Sequence, residues 1–319
     1  MRVIFMGTPD FSVGTLEAII KAGHEVCAVV TQPDKPKGRS KQLQFSPVKE
    51  AALAHNLEVL QPEKARDPEF VEELRRYNAD VFVVVAFGQI LPKEIIEMPK
   101  YGCVNVHASL LPKYRGAAPI QYAVIDGCEY SGVTTMQMNE GLDTGDILMV
   151  EKLKLDPKET GGSLFDKLAV VGANLLVKTL EGLKEGSISP IPQKEEDSKY
   201  VKMIKKSMGE IDFNKSAVVI ERLIRGLNPW PSAFTHLQGK TFKIWEANCL
   251  DDVTDAKVDL STAKNGEIVA LRKNSLVIKT GEGYLEALEV QLEGKKRMDA
   301  GSFLRGNNIE LGTVFGKEE

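Results

Sequence analysis

The sequence lacks the features that would assign it to several common classes of protein. Its 319 residues include only four cysteines, and these are scattered without CxxC or zinc-site spacing, so free thiols in a reducing compartment are expected instead of disulfides. No run approaches the roughly 18 apolar residues of a membrane span. The first apolar run is interrupted at Pro9 and Asp10, which makes it too short for a signal peptide. We therefore expect a cytoplasmic protein with no membrane contact and no bound metal.

The sequence also lacks a large excess of charge of either sign. Its 41 Lys and Arg stand against 45 Asp and Glu, for a net charge of −4. The overall field would not attract a polyanion, so any nucleic-acid binding must come from local basic patches. Hydrophobic residues make up 43% of the chain, enough for ordinary cores, and the length is natural for two domains.

Short apolar runs alternate with helical patterns in the first half of the chain. The predicted strands lie at 3–6, 24–30, 81–86 and 102–106, and the predicted helices at 11–22, 46–56 and 68–77. This alternation predicts parallel βαβ units and a Rossmann-like, doubly wound, mostly parallel sheet. Ligands of such sheets bind beyond the carboxyl ends of the strands.

The second half of the chain changes character. Extended runs at 132–139 and 147–155 precede a long predicted helix at 163–183 and a stretch at 185–199 rich in Pro, Ser and charge. Beyond these lie a predicted helix at 217–226 and short β-like runs, which favour a smaller β-barrel of the OB-like kind. We predict a catalytic domain at 1–189, a linker at 190–206 and a C-terminal β-barrel domain at 207–319.

The first predicted strand is not followed by a dinucleotide-binding loop. Gly7-Thr8-Pro9 stands at that position, but the pattern is not GxGxxG and Pro9 removes a backbone donor. A nicotinamide enzyme is therefore disfavoured. The turn fits either a substrate-facing loop or a plain connection between strand and helix.

The polar residues that point most strongly to chemistry follow the fourth predicted strand. Asn105 and His107 are two residues apart at its end, so their side chains share a face. Each can donate a hydrogen bond to one oxygen, and histidine can also exchange a proton. Downstream, Asp143 lies between two glycines in Gly141–Asp146. An aspartate in such a turn often only caps the backbone, but beside this pair it is the natural group to orient the imidazole.

These motifs resemble the folate-dependent formyltransferase superfamily. The resemblance rests on NVHASLLPKYRGAAPIQ at 105–121 and the GLDTGD turn at 141–146. The fuller pattern resembles, from end to end, the branch that formylates methionyl-tRNA. Its further elements are FMGTPDF at 5–11, TQPDKPKGR at 31–39, SPVK at 46–49, VVVAFGQILP at 83–92, MQMNEGLDTGDIL at 136–148 and NPWPSAF at 228–234.

The resemblance implies a reaction and its participants. The expected activity transfers the formyl group of 10-formyltetrahydrofolate to the amino group of initiator methionyl-tRNA, in a monomer without metal, with Asn105, His107 and Asp143 as the catalytic residues. The folate site is expected to be lined by Phe87, Gly88, Gln89, Ile90, Leu91, Pro92, Ser109, Leu110, Leu111 and Pro112.

A basic segment between the second strand and the next helix favours tRNA as the substrate. Residues 33–41 carry four cations against one anion. The alternative interpretation is a solvated charged loop, but the segment leaves the ligand-bearing edge of the sheet, where a basic arm would meet phosphates. The predicted tRNA contacts are Lys35, Lys37, Arg39 and Lys41 here, with Lys205 and Lys206 further along.

Two other functions remain open at the level of sequence. An enzyme that formylates a small amine predicts activity that survives loss of residues beyond 207 and neutralisation of the basic arm. A binding module without transfer chemistry needs a degraded catalytic set, whereas Asn105, His107 and Asp143 are all present.

Overall fold

A computed structural model of the protein describes residues 1–37 and 42–316, and its elements up to residue 201 are strands interspersed with helices. In chain order they are β1 (Arg2–Gly7), α1 (Asp10–Lys21), β2 (Glu25–Val30), β3 (Lys35–Lys37), β4 (Gln42–Gln44), α2 (Pro47–Ala54), β5 (Val59–Leu60), α3 (Pro68–Arg75), β6 (Val81–Val85), α4 (Lys93–Ile96), β7 (Cys103–His107), β8 (Arg115–Gly116), α5 (Pro119–Ile125), β9 (Tyr130–Gln137), β10 (Ile147–Lys154), α6 (Gly161–Glu185) and β11 (Tyr200–Val201).

The chain divides into two compact units. The first comprises residues 1–119, 130–154 and 165–201, and the second comprises 120–129, 155–164 and the residues from 202 onward. The second unit thus takes two short segments from the middle of the chain.

A seven-stranded sheet forms the centre of the first unit. Its order is β10-β9-β7-β6-β1-β2-β5, and the five strands from β7 to β5 are parallel. β1 and β6 are apolar without alternation because both of their faces are buried. The prediction of a Rossmann-like, mostly parallel sheet is confirmed.

The other edge of this sheet is antiparallel. β9 pairs antiparallel with both β7 and β10, so the two extended runs predicted after β7 form a hairpin at the edge of the sheet. The loop of that hairpin, residues 138–146, carries the predicted aspartate. β9 ends beside the start of β7, where Gln137 pairs with Val104.

The second unit contains a smaller antiparallel sheet, which confirms the predicted β-rich C-terminal domain. Its remaining elements are α7 (Ala217–Gly226), β12 (Ala233–Leu237), β13 (Lys240–Leu250), β14 (Ile268–Leu271), β15 (Leu276–Lys279), β16 (Tyr284–Leu292), β17 (Met298–Asp299) and α8 (Ala300–Gly306). The strand order is β12-β13-β16-β15-β14, with β17 on β16. Phe242, Phe303 and Phe315 meet in its core at ring-centroid distances of 5.0–5.2 Å.

Within residues 1–37 and 42–316, no helix is both long and apolar enough to cross a membrane. The longest helix, α6, has 25 residues, but its polar residues recur along its length.

Candidate active site

The side chains of Asn105 and His107 lie on one face of β7. This strand is held on one side by β6, where Val84 pairs with Asn105, and on the other by β9, where Met136 pairs with Asn105. His107 is buried, whereas Asn105 is partly exposed. The side-chain amide of Asn105 forms no hydrogen bond with any residue that the structure describes, so its N–H groups are available to a ligand.

The imidazole of His107 is fixed by one hydrogen bond. Its Nε2 lies 2.9 Å from the carbonyl oxygen of Tyr114. Because a carbonyl oxygen can only accept, Nε2 carries a proton in this arrangement. Tyr114 has a φ of 60°, an uncommon conformation that turns its carbonyl group toward the ring. Nδ1 is therefore the ring nitrogen available for chemistry.

Nδ1 of His107 faces the carboxylate of Asp143. The distance from Nδ1 to Oδ2 is 3.7 Å, and the two side chains are only 8% and 12% exposed. This separation is too long for a direct hydrogen bond, but it is close enough for a strong electrostatic interaction in a largely buried site. The structure therefore brings together the three residues that the sequence singles out.

Asp143 is held in place by the loops around it. Its Oδ2 accepts a hydrogen bond of 2.8 Å from the backbone N–H of Gly116, and its own φ is 54°. Gly145, two residues on, lies so close to the carbonyl group of Gln137 that a Cβ atom would overlap it. Gly145 thus permits a tight loop that presents the carboxylate of Asp143.

The side chain of Ser109, which was predicted to line the folate site, forms a hydrogen bond within its own loop. Its Oγ donates to the carbonyl oxygen of Lys113 at 2.7 Å, and Thr134 binds both the carbonyl oxygen of Ser109 and the N–H of Leu111. Ser109 and Leu111 are buried, while Leu110 and Pro112 are partly exposed. This loop offers a ligand its backbone and the side chains of Leu110 and Pro112, but not the serine hydroxyl.

The second predicted folate wall, residues 87–92, divides between core and surface. Phe87 and Leu91 are 2% and 5% exposed and pack into the core of the first unit, so their side chains anchor the loop. Gly88 and Ile90 are exposed, and Ile90 is 89% so. Gln89 joins the loop to residues 62–65 through hydrogen bonds to the carbonyl oxygen of Pro62 and the N–H of Ala65, and Pro92 is partly exposed.

Two polar residues next to this site were missed by the sequence reasoning. Arg115 is 1% exposed, although its sequence context resembles a solvated basic loop. Gln193 lies in the segment interpreted as a linker, yet its side-chain amide binds the carbonyl oxygens of Asp143 and Gly145 at 3.0 and 2.7 Å. A single glutamine in a polar stretch carries no local signal that could have revealed this contact.

The predicted basic arm is partly described. Lys35 is exposed in β3, whose residue Lys37 pairs with Gln42 of β4; Arg39 and Lys41 lie outside the described residues. The one anion of the arm, Asp34, is already neutralised, since Lys49 Nζ lies 2.6 Å from its Oδ2. Hydrogen bonds from Lys49 and Gln61 lower the pKa of Asp34. The cations of the arm therefore keep their excess charge.

The other predicted tRNA contacts, Lys205 and Lys206, lie in the second unit. Both are exposed, and neither forms an ion pair with a described residue. Among residues 1–37 and 42–316, no group of three or more His, Cys, Asp or Glu side chains is arranged to hold a metal ion.

Two family models match most of the chain, and curated relatives match nearly its full length. Residues 1–180 match the formyl transferase family, and residues 203–308 match the formyl transferase C-terminal domain. The methionyl-tRNA formyltransferase of Lachnospira eligens is 69% identical over 99% of this chain and 100% of its own length. That of Clostridioides difficile is 49% identical over 99% and 100%.

A solved structure shows the same fold at low identity. WlaRD, a sugar 3N-formyl transferase crystallised in the presence of dTDP and 5-N-formyl-THF, is 21% identical with a TM-score of 0.66, over 93% of this chain and 99% of its own. The full-length matches at high identity are the stronger finding. The chain therefore belongs to the formyl transferase family, among its methionyl-tRNA formyltransferases.

Proposed function

We propose that the enzyme transfers the formyl group of 10-formyltetrahydrofolate to the amino group of initiator methionyl-tRNA through Asn105, His107 and Asp143. The observation that carries this assignment is the pairing of two features at one site. The amide of Asn105 has no described partner, and beside it the Nδ1 atom of His107 faces a buried carboxylate at 3.7 Å.

Asn105 and His107 are suited to stabilise the charge that develops during the reaction. Attack of the amine on the formyl carbon places negative charge on the formyl oxygen, and donors fixed in advance stabilise such a charge, each worth about 10²–10³ in rate. Nε2 of His107 is committed to Tyr114. We therefore assign the amide of Asn105 and the protonated Nδ1 of His107 as the two donors.

Asp143 supports His107 in the transfer of the proton. The incoming amine must lose a proton and the departing folate nitrogen must gain one, a transfer for which acid–base catalysis supplies about 10²–10⁴. The protonated Nδ1 of His107 gives its proton to the departing folate nitrogen, and the neutral ring then takes the proton that the amine loses. The 3.7 Å separation between Nδ1 and Oδ2 of Asp143 is too short to hold a water between the two atoms, so we assign Asp143 a direct electrostatic role.

The loops beside this set fit the folate. β6 and β7 are adjacent and parallel, so residues 86–92 follow β6 at the edge where β7 delivers His107. Exposed Gly88 and Ile90 provide a narrow apolar surface with accessible backbone, which suits a flat heterocycle with polar edges. Phe87 and Leu91 keep this loop anchored in the core.

A comparison of two histidine variants tests the catalytic assignment. His107→Ala is expected to abolish nearly all formyl transfer from 10-formyltetrahydrofolate to methionyl-tRNA while the fold is retained, because both donor and proton carrier are lost. His55→Ala is the matched control, since His55 is a surface residue bound to Glu17. Comparable turnover by His107→Ala and wild type would refute the assignment.

We also propose that Lys35, Lys37, Arg39, Lys41, Lys205 and Lys206 bind tRNA phosphates. Support comes from Lys35, Lys205 and Lys206, which are exposed, and from Asp34, which is already paired with Lys49. Each phosphate contact that is lost should reduce the slope of log K against log salt by roughly 1.

The salt dependence of methionyl-tRNA binding provides the measurement. Lys205→Ala/Lys206→Ala should weaken binding and flatten the slope, whereas Lys184→Ala, at the exposed end of α6, should change neither. An unchanged slope in the double variant would remove these lysines from the interface.

The domain organisation remains part of this proposal. We assign catalysis to residues 1–189 and further tRNA contacts to 207–319, with 190–206 connecting them, and the family models at 1–180 and 203–308 support this division. Asn105, His107 and Asp143 all belong to one chain, so a monomer is sufficient for this chemistry. We propose that it acts in the cytoplasm, where aminoacylated tRNA is used.

A further inference from the structure

Residues 191–201, which we call the strap, fasten the two loops that contact His107. At one end of the strap, Ile191 pairs with Ile147 through two backbone hydrogen bonds of 2.8 and 2.9 Å. At the other end, β11 pairs in parallel with β8. The strap therefore bridges the loop that contains Asp143 and the loop that supplies the carbonyl group of Tyr114.

Gln193, in the middle of the strap, binds the backbone of the aspartate loop directly. Its Nε2 donates to the carbonyl oxygens of Asp143 and Gly145, so both N–H bonds of the amide are used. The residue between them, Thr144, is thereby held on both sides. Asp143 is in the left-handed region, with a φ of 54°, a conformation that persists only where surrounding contacts enforce it.

Arg115 determines which way the amide of Gln193 faces. Its Nε donates to Oε1 of Gln193 at 3.0 Å. Because a guanidinium group can only donate, the amide oxygen must face Arg115 and the NH₂ group must face the two carbonyl oxygens. The orientation of Gln193 is thus set by Arg115, whose strand β8 pairs with β11 of the strap.

The guanidinium of Arg115 keeps its charge although it is buried. Burial opposes that charge, but hydrogen bonds to Glu195 at 2.7 Å and to Tyr200 at 3.0 Å outweigh it and raise the pKa of Arg115. Both partners belong to the strap. A buried cation is costly unless its donors are satisfied, so the strap and Arg115 stabilise each other.

We propose that Gln193 is a positioning residue that holds Asp143 against His107 through the backbone of residues 143–145. This inference rests on the proposed function, in which Asp143 acts on His107. Gln193 does not itself contact the imidazole. Its effect on the rate must therefore pass through Asp143, and a misplacement of about 1 Å at such a site can cost about 10²-fold.

A double-mutant cycle on kcat tests this route. Gln193→Ala should lower kcat by about 10–100-fold, with the KM values for both substrates changed far less. In an Asp143→Ala background the same substitution should cost nothing further, because the group that it positions is gone. Glu196→Gln is the control within the strap, since the Glu196 side chain is exposed and forms no hydrogen bond or ion pair with a described residue.

A second variant covers the case in which Gln193→Ala does not fold. Gln193→Glu keeps the chain length and an oxygen for Arg115, but it turns a second oxygen toward two carbonyl oxygens. It should repel the loop and lower kcat in the wild-type background only. Wild-type kcat in either folded variant, or losses that multiply with that of Asp143→Ala, would overturn the inference. Failure of the wild-type enzyme to formylate methionyl-tRNA would instead overturn the proposed function.

Discussion

Replacement of Asp143 by Asn removes the carboxylate charge next to His107 while keeping the shape of the loop. The asparagine carbonyl can still accept the hydrogen bond that Gly116 now donates at 2.8 Å. The substitution therefore isolates the electrostatic contribution of the carboxylate from its structural contribution. We expect the loop to be retained and the reaction to be slowed.

The magnitude follows from the geometry. At 3.7 Å and an effective dielectric constant of about 20, the attraction between the carboxylate of Asp143 and a protonated ring is about 4.5 kcal/mol. At 1.36 kcal/mol for each factor of ten, this corresponds to about 2,000-fold in rate. Partial solvent access and reorganisation reduce the effect, so the expected loss in kcat is about 10²–10³-fold.

The assay is single-turnover transfer of a radiolabelled formyl group to methionyl-tRNA, with thermal unfolding measured in parallel. Asp146→Asn is the charge-matched control, because Asp146 lies in the same loop and its carboxylate binds no described residue. It should stay within about twofold of wild type. A folded Asp143→Asn enzyme with less than about fivefold loss would refute the role of the carboxylate.

Three further predictions concern stability and loop shape. Ser46→Ala should lower the free energy of unfolding by about 1 kcal/mol in denaturant titrations, because the hydroxyl caps α2, and no change would contradict the cap. Glu195→Gln should lower the melting temperature slightly at neutral pH, since the hydrogen bond from Arg115 lowers the pKa of Glu195. That pKa shift stabilises the fold above the ordinary value of 4.5 and is lost as the pH falls below it, so the difference should close in acid; a constant difference would argue against the ion pair. Gly145→Ala should reduce kcat strongly with a smaller change in melting temperature, because the added Cβ overlaps the carbonyl group of Gln137, and unaltered kcat would show that the tight loop is dispensable.

The longer strands and helices of the first unit could be predicted closely because their signals are local. The buried parallel strand β6 was expected at 81–86 and spans Val81–Val85, and α6 was expected at 163–183 and spans Gly161–Glu185. In the second unit α7 spans its predicted bounds, Ala217–Gly226, whereas the short helix α8 was not predicted. Short elements next to turns have too few residues to show a clear period.

The sequence by itself determined the alternation of strands and helices, the common face of Asn105 and His107, and the glycine-flanked turn that carries Asp143. Each of these follows from spacing within a few residues, which backbone geometry converts directly into direction. Only the tertiary structure decided that Asp143 reaches His107, that Phe87 faces the core, and that Gln193 holds the aspartate loop. Those contacts join residues far apart in the chain, so they depend on which pairing of whole elements best satisfies burial and backbone hydrogen bonds, and no short stretch of sequence encodes that choice.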